Sequence, residues 1–318
     1  MQQVLLYFWY APSGAEDPKA LGLQQRNLCQ ALGIAEGRIR VSSEGINATV
    51  CGSQEGIRQY VATMHDFFEE KGTQPPVDFK TSAGVSGAFE GLVIRECAEL
   101  VTLFAHNTIL REKVLFHTPY LSKAITHASP EKFHEILKSG KATVVDVRNG
   151  YESSIGTMRN SVIPNTRQFS DFVSFAEKWV PTCDKATIAM FCTGGVRCER
   201  AAALVANLQR DIPGKEIVIL QGGVARYLEA FPEGGEFMGK LLVFDGRGAI
   251  APEKAQATDI IGHCSLCAAA WDEYGHGEEK TRCSKCRQLV LVCAECQKSA
   301  EKKSYICQQC GPSKRERE

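Results

Sequence analysis

A chain of 318 residues is too long for one average domain, so two or three are expected. Its hydrophobic content of 44% and charged content of 23% are ordinary for a globular protein with real cores. Lys plus Arg equals Asp plus Glu at 37 each, so bulk charge attracts neither nucleic acid nor membrane, no DNA partner is expected, and any RNA contact rests on local patches.

The chain opens with "MQQVLLYFWYAPSGAEDP", which has no cationic leader and too short an apolar run for a membrane span. "VLLYFWY" reads as a buried first strand, and residues 18–32 have helical spacing. "GRIRVSSEGINATVCG" predicts two short strands around a Glu44-Gly45 turn, with Gly52 closing the second. A helix follows, opening at Ser53 as N-cap. "FEGLVIRECAELVTL" supplies the last strand. The order βαββαβ over residues 1–104 predicts a ferredoxin-like α+β domain.

Residues 105–125 lack periodicity and are expected to be a connector. The second domain spans 126–250. There Ser129 caps a helix with Pro130 at its first position, and "ATVVDVR", "ATIAMFC" and "EIVILQGG" are buried strands alternating with helices. Polar and glycine residues at the strand C-termini predict a parallel α/β sheet with its site at those ends.

The stretch "FCTGGVRCERAAALVANL" places Cys192, Thr193, Gly194, Gly195, Val196 and Arg197 between a strand and a helix. Such a loop turns successive backbone N–H groups toward one spot, and the helix adds partial positive charge there. The glycines let those amides converge, and Arg197 adds a fixed cation. A thiolate on Cys192, or an anionic adduct of it, is stabilised by that field. Cys198 has two readings: a resolving thiol for Cys192, or a helix-face thiol packed on the sheet. Asp146 and Arg148 end the first strand of this domain, where they orient the loop or pair with each other; the supporting role is favoured.

Five blocks stand in one order: "SSEGINATVCG" at 42–52, "DVRNGYESSIGTM" at 146–158, "CTGGVRCERA" at 192–201, "LQGGVARYLEAFP" at 220–232 and "GKLLVFDGR" at 239–247. The loop resembles a rhodanese active-site loop, and the ordered blocks resemble the UPF0176 family. That family includes the bacterial oxygen-dependent tRNA uridine hydroxylase and eukaryotic rhodanese-like domain-containing relatives. Val196 and Arg200 stand where the family usually has isoleucine and lysine, and Ala48 where it more often has glycine. The resemblance implies an acylphosphatase-like N-terminal domain, a catalytic rhodanese domain, and oxygen-dependent hydroxylation of a tRNA wobble uridine. The family's cysteine carries over onto Cys192 and its loop arginine onto Arg197. A sulfurtransferase with a Cys192 persulfide is the second reading, and a non-catalytic rhodanese and zinc interaction protein the third. For RNA contact, the groove between the N-terminal domain and the Cys192 loop is expected to serve, with Arg38 and Arg40.

The last segment, 260–311, holds four C-x-x-C pairs: Cys264/Cys267, Cys283/Cys286, Cys293/Cys296 and Cys307/Cys310. Each puts two thiolates on one turn, and two such turns complete a closed tetrahedral Zn²⁺ site. Without an export signal, the pattern points to a reducing cytoplasm and two structural zinc ions, not disulfides. Sequential and interleaved pairings stay open, and His263 or His276 are alternative ligands. Lys280, Arg282, Lys285, Arg287, Lys298, Lys302 and Lys303 are candidates for an RNA backbone or a solvated surface.

Overall fold

A computed structural model describes residues 1–12, 16–105, 125–209, 215–256, 259–275, 281–299 and 305–311. The chain divides into two compact units: Met1–Ala105 with Phe244–Arg247, and His106–Val243 with Gly248–Glu318. The expected connector, 105–125, falls almost wholly outside the described residues. No helix among the described residues is long and apolar enough to cross a membrane.

In the first unit, β1 (Gln2–Tyr10) alternates, and Leu5, Tyr7 and Trp9 enter one core. Helix α1 (Pro18–Ala31) starts at Asp17, whose carboxylate accepts from the Lys19 N–H. Strands β2 (Glu36–Ser42) and β3 (Gly45–Ser53) form a hairpin, closed between Ser42 and Gly45. The expected Ser53 cap is in place: its Oγ accepts from the Gly56 N–H at 3.0 Å and opens α2 (Gln54–Glu70). Ala48 lies within β3, paired with Tyr7 and Ile39, and not in the turn.

The last strand of the βαββαβ order is not the one the sequence suggests. That place is taken by β4 (Lys80–Ala83), antiparallel to β1, while β5 (Leu92–Glu96) adds itself parallel to β2. The sheet order is β4-β1-β3-β2-β5. The reason lies in the residues of β4: "KTSA" carries no apolar alternation, and three of its four residues are exposed. It is an edge strand held by its backbone, with the Lys80 amine over the Phe8 ring and paired with Asp78 at 2.8 Å.

The second unit is built on a parallel sheet of β6 (Ile125–Ala128), β7 (Ala142–Asp146), β9 (Thr187–Phe191) and β10 (Glu216–Leu220), in the order β6-β10-β9-β7. Helix α3 (Pro130–Ser139) has the expected Ser129 cap and ends on Gly140 in the left-handed conformation. It packs with α7 (Gly223–Ala230) over Ala189, Phe191, Val218 and Leu220. The alternate residues Ile188, Met190, Ile217 and Ile219 are equally buried. Both faces are therefore covered, as expected of parallel strands, and α6 (Val196–Leu208) packs on the sheet through its alanines. A short α4 (Gly150–Ser153) and β8 (Gly156–Met158) follow β7; α5 (Phe172–Trp179) precedes β9; and β11 (Phe237–Gly239) pairs with β8. Strands β12 (Leu241–Leu242) and β13 (Ala249–Ile250) pair antiparallel, and the cysteine segment carries α8 (Ala294–Ser299).

Candidate active site and metal centres

Strand β9 is flanked on both sides, so the loop leaving its C-terminus sits at the middle of the sheet's carboxyl edge. Cys192 is fully buried there. The Cys192 and Thr193 carbonyls accept from the Val224 and Ala225 N–H groups, at 2.9 and 3.0 Å. In a trans peptide the N–H points opposite to the carbonyl, so these bonds turn the Thr193 and Gly194 amides away from α7. Of the two loop glycines, Gly195 alone uses a positive φ, +97°, and its N–H donates to Cys192 Sγ at 3.1 Å. The Cys198 thiol and the Arg197 and Cys198 backbone amides also act on the sulfur electrostatically, while the Cys198 N–H donates to the Gly195 carbonyl at 3.1 Å.

Burial alone would push the Cys192 thiol up. The Cys198 thiol, the Arg197 charge and the two backbone amides reverse this and bring it down to about 6. The thiolate therefore predominates at neutral pH and is lost as pH falls through about 6. Ultraviolet thiolate absorbance, taken as wild type minus Cys192→Ser, should titrate with a midpoint near 6; a midpoint near 9 would mean the cradle does not act. Burial pushes Cys198 well up, and its hydrogen bond to the Cys192 sulfur adds to this, so it stays protonated as the donor.

Gly223 backs directly onto this loop. A Cβ there would lie 2.5 Å from the Cys192 carbonyl oxygen, 2.6 Å from that of Thr193 and 2.7 Å from the Gly195 nitrogen, and its φ is +67°. Gly223→Ala should lower stability by about 3 kcal/mol in urea denaturation and raise the Cys192 midpoint, because the loop must move as a body.

Arg197 does not stand free beside the sulfur. Its guanidinium makes a bidentate pair with the fully buried Glu152, at 2.6 and 2.7 Å, and a bond to Thr193 Oγ1 at 3.0 Å. Glu152 is the site residue that sequence reasoning missed. The signal was present as Asn149-x-x-Glu152, a capping-box spacing, and the Glu152 carboxylate does accept from the Asn149 N–H at 3.1 Å. Its reach across to the loop is not readable from that spacing.

Asp146 and Arg148 are both fully buried and paired with each other, at 2.9 and 2.7 Å. Asp146 also accepts from Ser153 and Thr157, and Arg148 donates to the Gly156 carbonyl and lies over the Phe191 ring. The pair braces the β7 end and the α4–β8 turn. In the first unit, Arg38 donates to the Gly37, Gly91 and Glu90 carbonyls, and Arg40 to the Glu99 carbonyl and Thr102. These guanidiniums tie β2 to the segments around β5.

The eight cysteines form two sets of four: Cys264, Cys267, Cys293 and Cys296, and Cys283, Cys286, Cys307 and Cys310. The first pair thus joins the third and the second the fourth, which settles the open pairing as interleaved. Within each set all sulfurs lie within 4.8 Å of one another. A tetrahedral thiolate site with metal–sulfur bonds of about 2.3 Å has edges of about 3.8 Å. The Cys267–Cys293 and Cys286–Cys307 sulfurs stand 3.6 and 3.7 Å apart. The Cys293 and Cys307 N–H groups donate to Cys264 Sγ and Cys283 Sγ. The donor sets fit two closed metal sites of all-thiolate type. Each set is complete without His263; His276 lies outside the described residues, as do Lys280, Lys302 and Lys303. Arg282 donates to the Arg287 carbonyl, Lys285 to that of Cys310, and Lys298 pairs with Glu295, while Arg287 is exposed.

Residues 2–100 match the UPF0176 acylphosphatase like domain, 129–230 the Rhodanese-like domain and 238–311 the Rhodanase C-terminal family. Rhodanese-like domain-containing protein 6 of Arabidopsis thaliana is 34% identical, covering 96% of this chain and 52% of its own length, so the chain spans about half of that relative. The tRNA uridine(34) hydroxylase of Corynebacterium diphtheriae is 32% identical, covering 92% of this chain and 90% of that one. The protein of the same name in Pseudarthrobacter chlorophenolicus is 32% identical, covering 95% and 96%. Among solved structures, an As-Sb reductase from Leishmania major aligns with a TM-score of 0.32 at 23% identity over 37% of this chain and 87% of that one, too distant to add to the fold assignment. With an acylphosphatase-like domain, a rhodanese domain and a cysteine-rich C-terminal segment in one order, the chain belongs to the UPF0176 rhodanese family, together with the proteins named tRNA uridine(34) hydroxylase.

Proposed function

We propose that this protein is a tRNA-modifying oxidoreductase that hydroxylates the wobble uridine of tRNA with molecular oxygen, with Cys192 as the reacting group: one oxygen atom enters the base, and a thiol-class reductant supplies the two electrons and two protons that release the other as water, leaving as a disulfide. The observation that carries the reading is the buried Cys192 sulfur accepting from the Gly195 N–H in the loop that ends in Arg197, in a chain collinear with relatives of that name. In this reading Thr193 to Val196 form the active-site loop, whose Gly195 N–H donates to the sulfur, and Arg197 is its cation. Cys198 is the donor that keeps the sulfur anionic, and Asp146 and Arg148 support the loop from below. Residues 1–104, 126–250 and 260–311 act as three functional parts, zinc fills the two cysteine sets as a structural ion, and the protein works in the cytoplasm on tRNA. A uridine in the anticodon loop is unpaired, so its base can be presented to a buried sulfur by stacking and phosphate contacts.

The test is incubation of the purified full chain with unmodified tRNA and a thiol reductant under heavy-isotope oxygen gas, followed by nucleoside mass spectrometry. The expected product is hydroxyuridine carrying the heavy oxygen. Oxygen drawn from water would overturn the co-substrate. A thiolated nucleoside made with a sulfur donor, and no hydroxylated one, would replace the reading with a sulfurtransferase that carries a Cys192 persulfide.

A further inference from the structure

The turn that carries Glu152 is too short to hold itself. Helix α4 has four residues, about one turn, and an isolated turn of helix is unstable in water. Glu152 must nevertheless be placed to within a few tenths of an ångström to engage both nitrogens of Arg197. Asp146 and Arg148 brace it from the β7 side, and further contacts come from the cysteine segment.

Three contacts come from the side of the first cysteine set. Tyr274, buried to 6% exposure, donates its hydroxyl to the Tyr151 carbonyl at 2.6 Å, one residue before Glu152. Gly262 lies so close that a Cβ there would be 2.9 Å from the Ser154 carbonyl oxygen. Ile155, Leu242, Tyr274 and Leu291 form one apolar cluster, with Tyr151 and Trp271 against it. Leu291 precedes the ligand Cys293 by two residues, and the Tyr274 carbonyl accepts from Thr281, two residues before Cys283. Tyr274 is thus tied into both metal sets.

The second set reaches the other end of the same turn. Arg167 donates to the Gln309 side chain and backbone at 2.6 and 3.0 Å and to Cys310 Sγ at 3.3 Å. Gln309 in turn donates to the Asn165 carbonyl, and Gln288 to that of Arg167. This 165–167 segment receives the Gly150 N–H on the Thr166 carbonyl at 2.8 Å and meets Asn149 through Thr166 Oγ1.

We propose that the cysteine segment is a working part of the Cys192 site, with Tyr274 a positioning residue: folded around its metals, the segment clamps the Asn149–Ile155 turn and so holds Glu152 against Arg197. The clamp acts through three links, Tyr274 to the Tyr151 carbonyl, Glu152 to Arg197, and Arg197 with Thr193 to the loop. It rests on Cys192 as the reacting group and not on which reaction follows. The charged and titratable groups acting on that sulfur are Arg197 and Cys198 from its own loop and helix; Glu152 from the turn acts on it through Arg197, and Arg148 lies over the neighbouring Phe191 ring, paired with Asp146.

Tyr274→Phe keeps the ring and its packing and removes only the hydroxyl, so it tests the clamp without challenging the fold. Three quantities are measured on the full chain: bound metal, the midpoint of Cys192 thiolate absorbance, and amide exchange over 149–156. The expected result is unchanged metal content, a midpoint raised by about one unit, and exchange faster by about tenfold in 149–156. Stripping metal from the wild type with a chelator should give the same two changes, larger, while β9 and β10 keep their protection. If neither treatment moves the Cys192 midpoint, the proposal fails, even where exchange in 149–156 rises, because the segment would then be glue and not part of the site. No tRNA enters the assay, so its failure leaves the hydroxylase reading standing, and failure of that reading leaves the clamp standing.

Discussion

Cys192→Ser is expected to abolish the hydroxylated uridine while leaving fold and metal content unchanged. The substitution swaps one atom in a fully buried position, so packing around it is nearly conserved. What changes is ionisation. The Cys198 thiol, the Arg197 charge and the Cys198 and Arg197 backbone amides bring the thiol down to about 6 against its burial, but no such cradle ionises a serine hydroxyl near neutral pH. The loss should be on the order of a thousandfold or more, the scale seen when the central group of a concerted site is removed. Nucleoside mass spectrometry of tRNA from cells lacking the protein, rescued with wild type or Cys192→Ser, reads it directly. Restoration of the hydroxylated nucleoside by the serine variant would remove Cys192 from the chemistry and leave the cradle as an anion site for some other group.

The second large effect falls on Glu152. Glu152→Ala leaves the Arg197 guanidinium buried without its bidentate partner, and breaking such a pair from one side should cost about 3–5 kcal/mol. Urea denaturation of the two proteins measures it; a cost under about 1 kcal/mol would mean that Arg197 finds another partner or water. Glu152→Gln removes the charge with the least change of shape. It keeps one acceptor oxygen, while its amide NH2 replaces the other and meets an Arg197 N–H donor to donor; because it no longer offsets the Arg197 charge, the Cys192 midpoint should fall below 6. Tyr274→Phe should raise it. The opposite signs arise because one variant strengthens the cation felt by the sulfur and the other loosens its position.

The part legible in the sequence was the part decided by near neighbours. Ser53 and Ser129 cap helices because a hydroxyl accepts an N–H three residues on. The loop after "ATIAMFC" became an amide cradle because strand, glycine and helix N-terminus adjoin in the chain. Four C-x-x-C turns announced thiolate metal sites for the same reason. β4 was overlooked because an exposed edge strand has no apolar period to betray it, and the more apolar "LVIRE" drew the assignment instead.

What the sequence alone determined, then, is the chemistry available: a thiol in a cradle, an arginine five residues on, and eight thiolates in pairs. Which groups meet was decided by the tertiary structure. Glu152 and Arg197 are 45 residues apart, and nothing in either segment names the other. Equal C-x-x-C spacings permit both pairings, and only where the fold places the four pairs selects the interleaved one. The Tyr274 hydroxyl finds the Tyr151 carbonyl across 123 residues. Caps, turns and ligand pairs are set by bonds that close within a few residues. Partners across the fold are chosen by which surfaces the packed sheet and the two cysteine sets bring together, and local sequence carries no record of that choice.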